Sequence, residues 1–257
     1  MRIKAPWKRL EKGRFWQAVD AEHNRLIAEQ LEGCHEVLDL GCGYGSLTAY
    51  LTKAGFDAIG VDSDQQTIDK AKIVFPSLDH GHVRVMDAHW LDFPADRFDG
   101  VVLRDTLHHL WEEGNIDKTF GEIERVLRPR GSLVVFDPNP NIILRTCRWI
   151  AKHQDARCMP WEASDLLTRR GWIIKHTFFS ECFALALSGG YVGLDFTPRW
   201  SRLHSAILVA DRVVSHFLSR LGLSPILLWR YCIMAEAPKR SVTTLDCAGD
   251  DQLSPNV

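Results

Sequence analysis

Four aspartates and three glycines stand where a ligand could use them. Asp39 lies near the end of an apolar run, Val37-Leu38-Asp39-Leu40, and Gly41, Gly43 and Gly45 follow at alternate positions. Glycine lets the backbone turn sharply and leaves no Cβ between chain and ligand. A helical pattern starting at Ser46 adds unpaired N–H groups and a positive dipole end, which suit a carboxylate or phosphate. Asp39 narrows the choice. A dinucleotide presses its pyrophosphate on such a turn and finds a carboxylate an awkward neighbour, whereas a cationic amino-acid head is favoured. Asp62 ends the next apolar run about 20 residues past the first glycine, the spacing at which an acid reaches ribose hydroxyls. Asp87-Ala88 and Arg104-Asp105 end two further runs. His108 and His109 come next and open toward the same edge as candidate general bases. Asp105 is close enough to orient one of them. The competing reading of His109 is a structural histidine near a helix start.

These residues need a scaffold that brings strand ends together. Strands are predicted over Val37–Leu40, Asp57–Val61, His82–Met86, Phe98–Leu103 and Ser132–Phe136. Helical stretches fall between them at 45–54, 63–74 and Glu113–Leu127. The last shows Ile116, Phe120, Ile123 and Leu127 at amphipathic spacing. Alternating strand and helix gives a parallel, doubly wound α/β sheet, whose ligands sit at the carboxyl ends of the strands.

Five ordered segments carry a resemblance: VLDLGCGYG, GVDSD, MDAHWLDFP, FDGVVLRDTLHHL and VLRPRGSLVVFDPN. Over roughly residues 35 to 137 the chain resembles class I S-adenosylmethionine-dependent methyltransferases of the type related to quinone biosynthesis. The resemblance implies a mostly parallel, seven-stranded Rossmann-like sheet with lid insertions, and S-adenosylmethionine as cofactor. It implies that Asp39 and the backbone of Gly41, Cys42, Gly43 and Gly45 hold the methionine portion. Asp62 would accept from the ribose hydroxyls, with Ser63 on the adenine face. Asp87 would accept from the adenine amine, with Ala88 at the ring edge. Arg104 would line the methionyl side, where many relatives have a small polar residue. The Trp16–Leu31 helix would pack beside the cofactor.

Three regions follow: an N-terminal helical arm or cap (1–34), a methyltransferase domain (35–238) and a polar, disordered tail (239–257). Lid insertions are expected at about 138–160 and 180–226, with a sixth strand over Trp172–Phe179 and a seventh over Leu227–Ala235. The second insertion has an apolar, glycine-rich stretch from Phe183 to Phe196. A helix follows whose apolar stripe, Leu203, Ile207, Ala210, Val214, Phe217 and Leu221, is read as packing on its own domain. Trp90 and Trp161 read as core or lid packing, and His89, His153 and His204 as surface or lid residues.

Composition sets the remaining bounds. A 46% hydrophobic, 25% charged chain with net charge −2 is globular and carries no general nucleic-acid footprint. Seven scattered cysteines without a CxxC pair suggest a reducing cytoplasm, and no metal-ligand spacing appears. No apolar run reaches the ~18 residues of a membrane span. Arg2, Lys4, Lys8, Arg9, Lys12 and Arg14 surround Trp7 near the start. They read either as a solvated arm or as peripheral contact with an anionic membrane. The expected activity is methyl transfer to a hydrophobic or amphipathic small molecule, by O- or C-methylation. The alternatives are a catalytically inactive S-adenosylmethionine-binding partner protein and a nucleotide-dependent oxidoreductase.

Overall fold

The central strands of the sheet are buried on both faces because both faces of their sequences are apolar. In the computed structural model, β1 (Glu36–Leu40) sends Leu38 and Leu40 into one core cluster and Val37 into another. β4 (Phe98–Arg104) divides Val101 and Leu103 from Val102, and β5 (Leu127–Pro138) divides Leu133 and Val135 from Val134 and Phe136. A strand's side chains alternate between faces, so Asp39 shares the face of Val37. With β2 (Asp57–Asp62), β3 (Val83–Val85), β6 (Ile173–Ser180) and β7 (Arg230–Glu236) these form a seven-stranded sheet of order β3-β2-β1-β4-β5-β7-β6. β7 pairs antiparallel with both β5 and β6, and the other pairings are parallel. The chain reverses its winding between β1 and β4, where a crevice opens at the strand ends.

The structure describes residues 14–78, 81–141, 158–188, 197, 198 and 200–238. The basic arm before Arg14, most of the 138–160 lid, the end of the Phe183–Phe196 stretch, His153 and the tail lie outside the described residues.

Helices α1 (Arg14–Gln30) and α2 (Ser46–Lys53) cover the Val37 face, where Ile27, Leu31, Leu47 and Leu51 are buried. α3 (Gln65–Val74) links β2 to β3, with Asp64 capping it through a side-chain bond from Gln66 N–H. The helix expected over Glu113–Leu127 is α5 (Ile116–Val126), and a separate short helix, α4 (Leu107–Glu113), precedes it. Gly114, at φ 76°, ends α4 in the left-handed conformation that glycine adopts readily. α5 buries Phe120, Ile123 and Val126, so its apolar face was legible although its start was not. α6 (Pro160–Arg169) precedes β6, and α7 (Ala184–Leu187), α8 (Ser201–Arg220) and α9 (Ser224–Leu227) lie between β6 and β7.

Two packing expectations are corrected. Trp90 and Trp161 are 73% and 62% exposed, which overturns core packing for both, while most of the expected 138–160 lid lies outside the described residues. Only the second half of the apolar stripe of α8 is turned outward, since Leu203 and Ile207 are half-buried and Ile207 packs on Phe15 and Val19. The buried residues of α8 are His204, Asp211 and Ser215, whereas Val209, Val213, Val214, Phe217 and Leu221 face outward. The anchor is Asp211, whose carboxylate accepts the N–H groups of Cys182, Phe183 and Ala184 at the start of α7. That polar attachment fixes the helix's rotation against the pull of the stripe's second half.

Candidate active site

The turn after β1 is built by close approach. Gly41 and Cys42 N–H both donate to Val61 O on β2, at 2.8 and 2.9 Å. Gly41 has φ 79°, and a Cβ there would lie 2.4 Å from Thr106 Oγ1. Only glycine meets both demands. Gly43, at φ 53°, also lies in the left-handed region, and a Cβ there would enter open space in the cleft. Gly45 stands apart from the cleft wall. It caps α2, and a Cβ there would strike Leu78 at 2.6 Å, so its smallness serves packing.

The cleft beside this turn has a volume of about 730 Å³. Of the residues singled out in the sequence, Asp39, Gly41, Cys42, Gly43, Asp62, Ser63, Asp87, Ala88, Arg104, Asp105 and His109 line it. Gly45 and His108 do not. His89 lines the wall instead of lying in a lid, and Trp16, Asp20 and Thr106 join from positions that sequence reasoning did not single out as site residues.

Asp39 is buried at the head of the cleft. Thr48 Oγ1 donates to its Oδ2 at 2.7 Å, while Oδ1 has no hydrogen-bond partner. Burial, only partly offset by Thr48 and Arg104, pushes its carboxyl up to about 6. Asp62 accepts Gly43 N–H on Oδ2 and Asp64 N–H on Oδ1, both at 3.0 Å. A carboxylate has about four lone-pair sites, so two remain for a ligand's hydroxyls. Asp87 accepts His89 N–H at 2.8 Å and the His89 ring at 2.7 Å. The backbone bond and then the ring bond hold it below the usual carboxylate range.

Asp105 closes β4 at φ 54°, in the left-handed region that few side chains adopt. Its carboxylate accepts from Arg230. Burial would raise its pKa, but Arg230 and Arg104 hold it well below the usual range. It stays ionised at neutral pH and is too weak a base to take a proton. His108 is turned into the protein, where its backbone N–H and Nδ1 both bond Asp137 Oδ2 at 3.0 Å. Its ring lies 4.1 Å from that of His109, which is the histidine of the pair that reaches the cleft.

Arg104 ties the roof to the floor. It donates to Asp20 and to Asn24 on α1, and Asp20 also accepts from Ser46 Oγ at the start of α2. Asn24 Nδ2 donates to the same Ser46 Oγ at 3.1 Å. The cleft is thereby lined by seven carboxylates, Asp20, Asp39, Asp62, Asp64, Asp87, Asp105 and Glu113, against the single guanidinium of Arg104. Such a lining attracts a cation and repels a pyrophosphate.

S-Adenosylmethionine fits this donor set. The unpaired Asp39 oxygen suits its ammonium head, the open side of Gly43 leaves room for its chain, and Asp62 has lone pairs left for a ribose. Asp62→Ala should therefore weaken its binding by about tenfold or more, since hydrogen bonds to a charged group contribute roughly 1.5–3 kcal/mol. Calorimetry on the folded variant reads this directly; an unchanged affinity removes Asp62 from the site.

Residues 38–135 match the model of a family described as a methyltransferase domain. An uncharacterized methyltransferase of Alkaliphilus oremlandii is 33% identical over 102 residues, 39% of this chain and 44% of that protein. A ubiquinone biosynthesis O-methyltransferase of Bradyrhizobium sp. is 32% identical over 124 residues, 47% of this chain and 46% of that protein. The chain spans about half the length of the curated relatives it matches. The crystal structure of a SAM-dependent methyltransferase from Archaeoglobus fulgidus is similar in fold, with a TM-score of 0.60 and 22% identity. The similarity covers 86% of this chain and 93% of that one. The resemblance read in the sequence is borne out over the matched segment, and so is the seven-stranded, mostly parallel sheet.

Proposed function

We propose that this chain, built on a class I methyltransferase core, transfers a methyl group from S-adenosylmethionine to a small-molecule acceptor. The observation that carries this is the unpaired, buried Asp39 carboxylate in an acidic cleft at the sheet's switch point. Bound S-adenosylmethionine supplies a methyl group on a positively charged sulfur, already activated for attack. The chain's own tasks are then binding, orientation and exclusion of water. Asp39, Asp62 and Asp87 hold the ligand's three polar regions, and the ionised Asp105 keeps the methyl-transfer end of the cleft negative. Orientation of reactants accounts for up to roughly 7–11 kcal/mol of a barrier in favourable cases, so no covalent step by the protein is required. The acidic lining disfavours an oxidoreductase that binds a pyrophosphate. Turnover of S-adenosylmethionine with any acceptor excludes an inactive binding partner.

His109 is the candidate general base, and His108, held by Asp137, positions it. His109→Ala should lower kcat by about 10²-fold or more while leaving cofactor affinity intact, and should flatten the rise of rate with pH. His108→Ala should chiefly lower stability, because it strands Asp137 in the core. An unaltered rate and pH profile in His109→Ala would leave positioning as the whole of catalysis.

The acceptor is hydrophobic or amphipathic, methylated on oxygen or carbon, and reached beside a membrane surface. One matched relative is named an O-methyltransferase. No helix among the described residues is long and apolar enough to cross a membrane. The outward face of α8 is nonetheless apolar, with Val213 and Phe217 62% and 59% exposed. Arg202 and Arg220 lie near its two ends. An exposed patch of this kind is a liability unless it meets a partner or a lipid. The protein should float with phosphatidylglycerol vesicles, and Val213→Ser/Phe217→Ser should float less. Failure of the wild type to float removes the membrane from this reading. Comparison of lipids and metabolites from cells with and without the gene should reveal a compound heavier by one CH₂ only in the former.

A further inference from the structure

A second cavity, of about 290 Å³, shares no lining residue with the cleft. It lies between α1, the end of β6 and the inner face of α8, just below the range of about 300–1,000 Å³ typical of small-molecule pockets. Val19, Leu26, Phe178 and Leu208 give it an apolar wall.

The rest of the lining is unusual. Ten buried side-chain atoms among the described residues have no hydrogen-bond partner, and four of them belong to this cavity: His23 Nδ1, Ser180 Oγ, Glu181 Oε2 and Ser215 Oγ. Buried polar groups are nearly always paired with protein, ligand or water. His23, Glu181 and Ser215 are 2%, 5% and 6% exposed, so bulk water does not serve them. Glu181 is held in place at φ 69°, uncommon for a residue with a side chain. Its Oε1 lies 3.1 Å from His23 Nε2 and its Oε2 3.5 Å from Arg230 Nε. Glu181 is thus ion-paired with Arg230 while its Oε2 keeps acceptor capacity, and two hydroxyls and an imidazole nitrogen stand without a hydrogen bond. Glu22, Glu181 and Asp211 make the lining acidic, and its one guanidinium, Arg212, is already paired with Glu22 at 2.8 Å. An anionic ligand is therefore disfavoured and a hydrogen-bond donor favoured.

We propose that this cavity is a second ligand site, taking a small, mostly apolar molecule whose polar end is a hydroxyl or amine seated against Glu181, Ser180 and Ser215. The apolar body lies along Phe178 and Leu208. Calorimetry on the full chain tests this with 2-naphthol, 2-aminoindane and naphthalene-2-carboxylate as probes. The naphthol or the aminoindane should bind with one-to-one stoichiometry, and the carboxylate about tenfold more weakly or worse. Ser215→Leu fills the cavity and should weaken the neutral or cationic probe by about tenfold or more, with circular dichroism confirming its fold. Ser180→Val replaces it if that variant does not fold. Saturating S-adenosylhomocysteine should leave probe binding unchanged. Equal binding by wild type and filled variant overturns the proposal, as does competition with S-adenosylhomocysteine. Equal binding of the carboxylate overturns the ligand class, and no binding by the naphthol or the aminoindane means that the cavity holds water only.

Discussion

Asp39→Asn should bind S-adenosylmethionine about tenfold more weakly than the wild type at pH 7.5, yet unfold at a higher temperature when no ligand is present. Both effects have one cause. The Asp39 carboxyl is buried, titrates at about 6 in the folded chain and has an ordinary value of 3.8. Below pH 3.8 it is neutral folded or unfolded and costs nothing. Between 3.8 and about 6 the unfolded chain ionises while the folded one does not, so stability falls as pH rises through that window. Above it the full penalty remains, roughly 3 kcal/mol from the two pKa values. Asparagine keeps the Thr48 hydrogen bond and removes the charge, so the variant's gain should appear above pH 6 and vanish near pH 3.5. A cationic ligand head reverses the balance by favouring the ionised form. Wild-type affinity should therefore drop as pH falls below about 6, with proton release on binding in that range. Calorimetry in buffers of different ionisation enthalpy counts those protons. A variant that matches the wild type in affinity and pH dependence would show that Asp39 does not meet the ligand.

The sheet was legible because its evidence is local. Each parallel strand is a short apolar run punctuated by an acid, and the register of β1 on β2, Asp39 opposite Gly60, places the acids at one edge. The glycine turn was legible for the same reason, since Gly41, Gly43 and Gly45 announce left-handed backbone within five residues. α5 starts at Ile116, not Glu113, because Gly114 ends α4 and Asn115 stands at the N-cap of α5. β5 begins at Leu127 instead of Ser132, since Leu127 pairs with Phe98 across a register shift. Nothing local marks that pairing.

The site's long-range bonds were not legible. His108 and His109 are adjacent and chemically alike, and about 100° of helix rotation sends one to Asp137 and the other to the cleft. Asp105 and Glu181 are far apart in the chain, yet both lie beside Arg230. The rotation of α8 followed the same logic. Periodicity placed Ile207 correctly against the domain, but the second half of the stripe faces outward, where Asp211 accepts three backbone N–H groups at α7. Burial of an apolar stripe is a strong tendency, and there a capped helix start won over it.

A nearly buried ion pair joins Arg104 to α1, and Arg104→Met should destabilise the fold by about 3–5 kcal/mol. The Arg104 and Asp20 side chains are 11% and 12% exposed, so screening by solvent is slight. Burial alone would raise the Asp20 pKa, but Arg104 and then the Ser46 bond hold it below 3.8. Its contribution is present above 3.8 and is lost as pH falls through the lower folded value, so acid should narrow the gap between wild type and variant. Removing the guanidinium leaves a carboxylate buried without its cation, and the cost is mostly that of the stranded charge. Asp20→Asn/Arg104→Met removes both charges and should recover a large part of the loss, a non-additivity that a double-mutant cycle measures. The same bond places Trp16 and Asp20 on the cleft, so Arg104→Met should also weaken S-adenosylmethionine binding even where the variant is folded. Denaturant titrations of the four proteins of the cycle give the coupling energy. Additive effects would show that the two side chains act independently and that the other contacts of α1 hold it over the cleft.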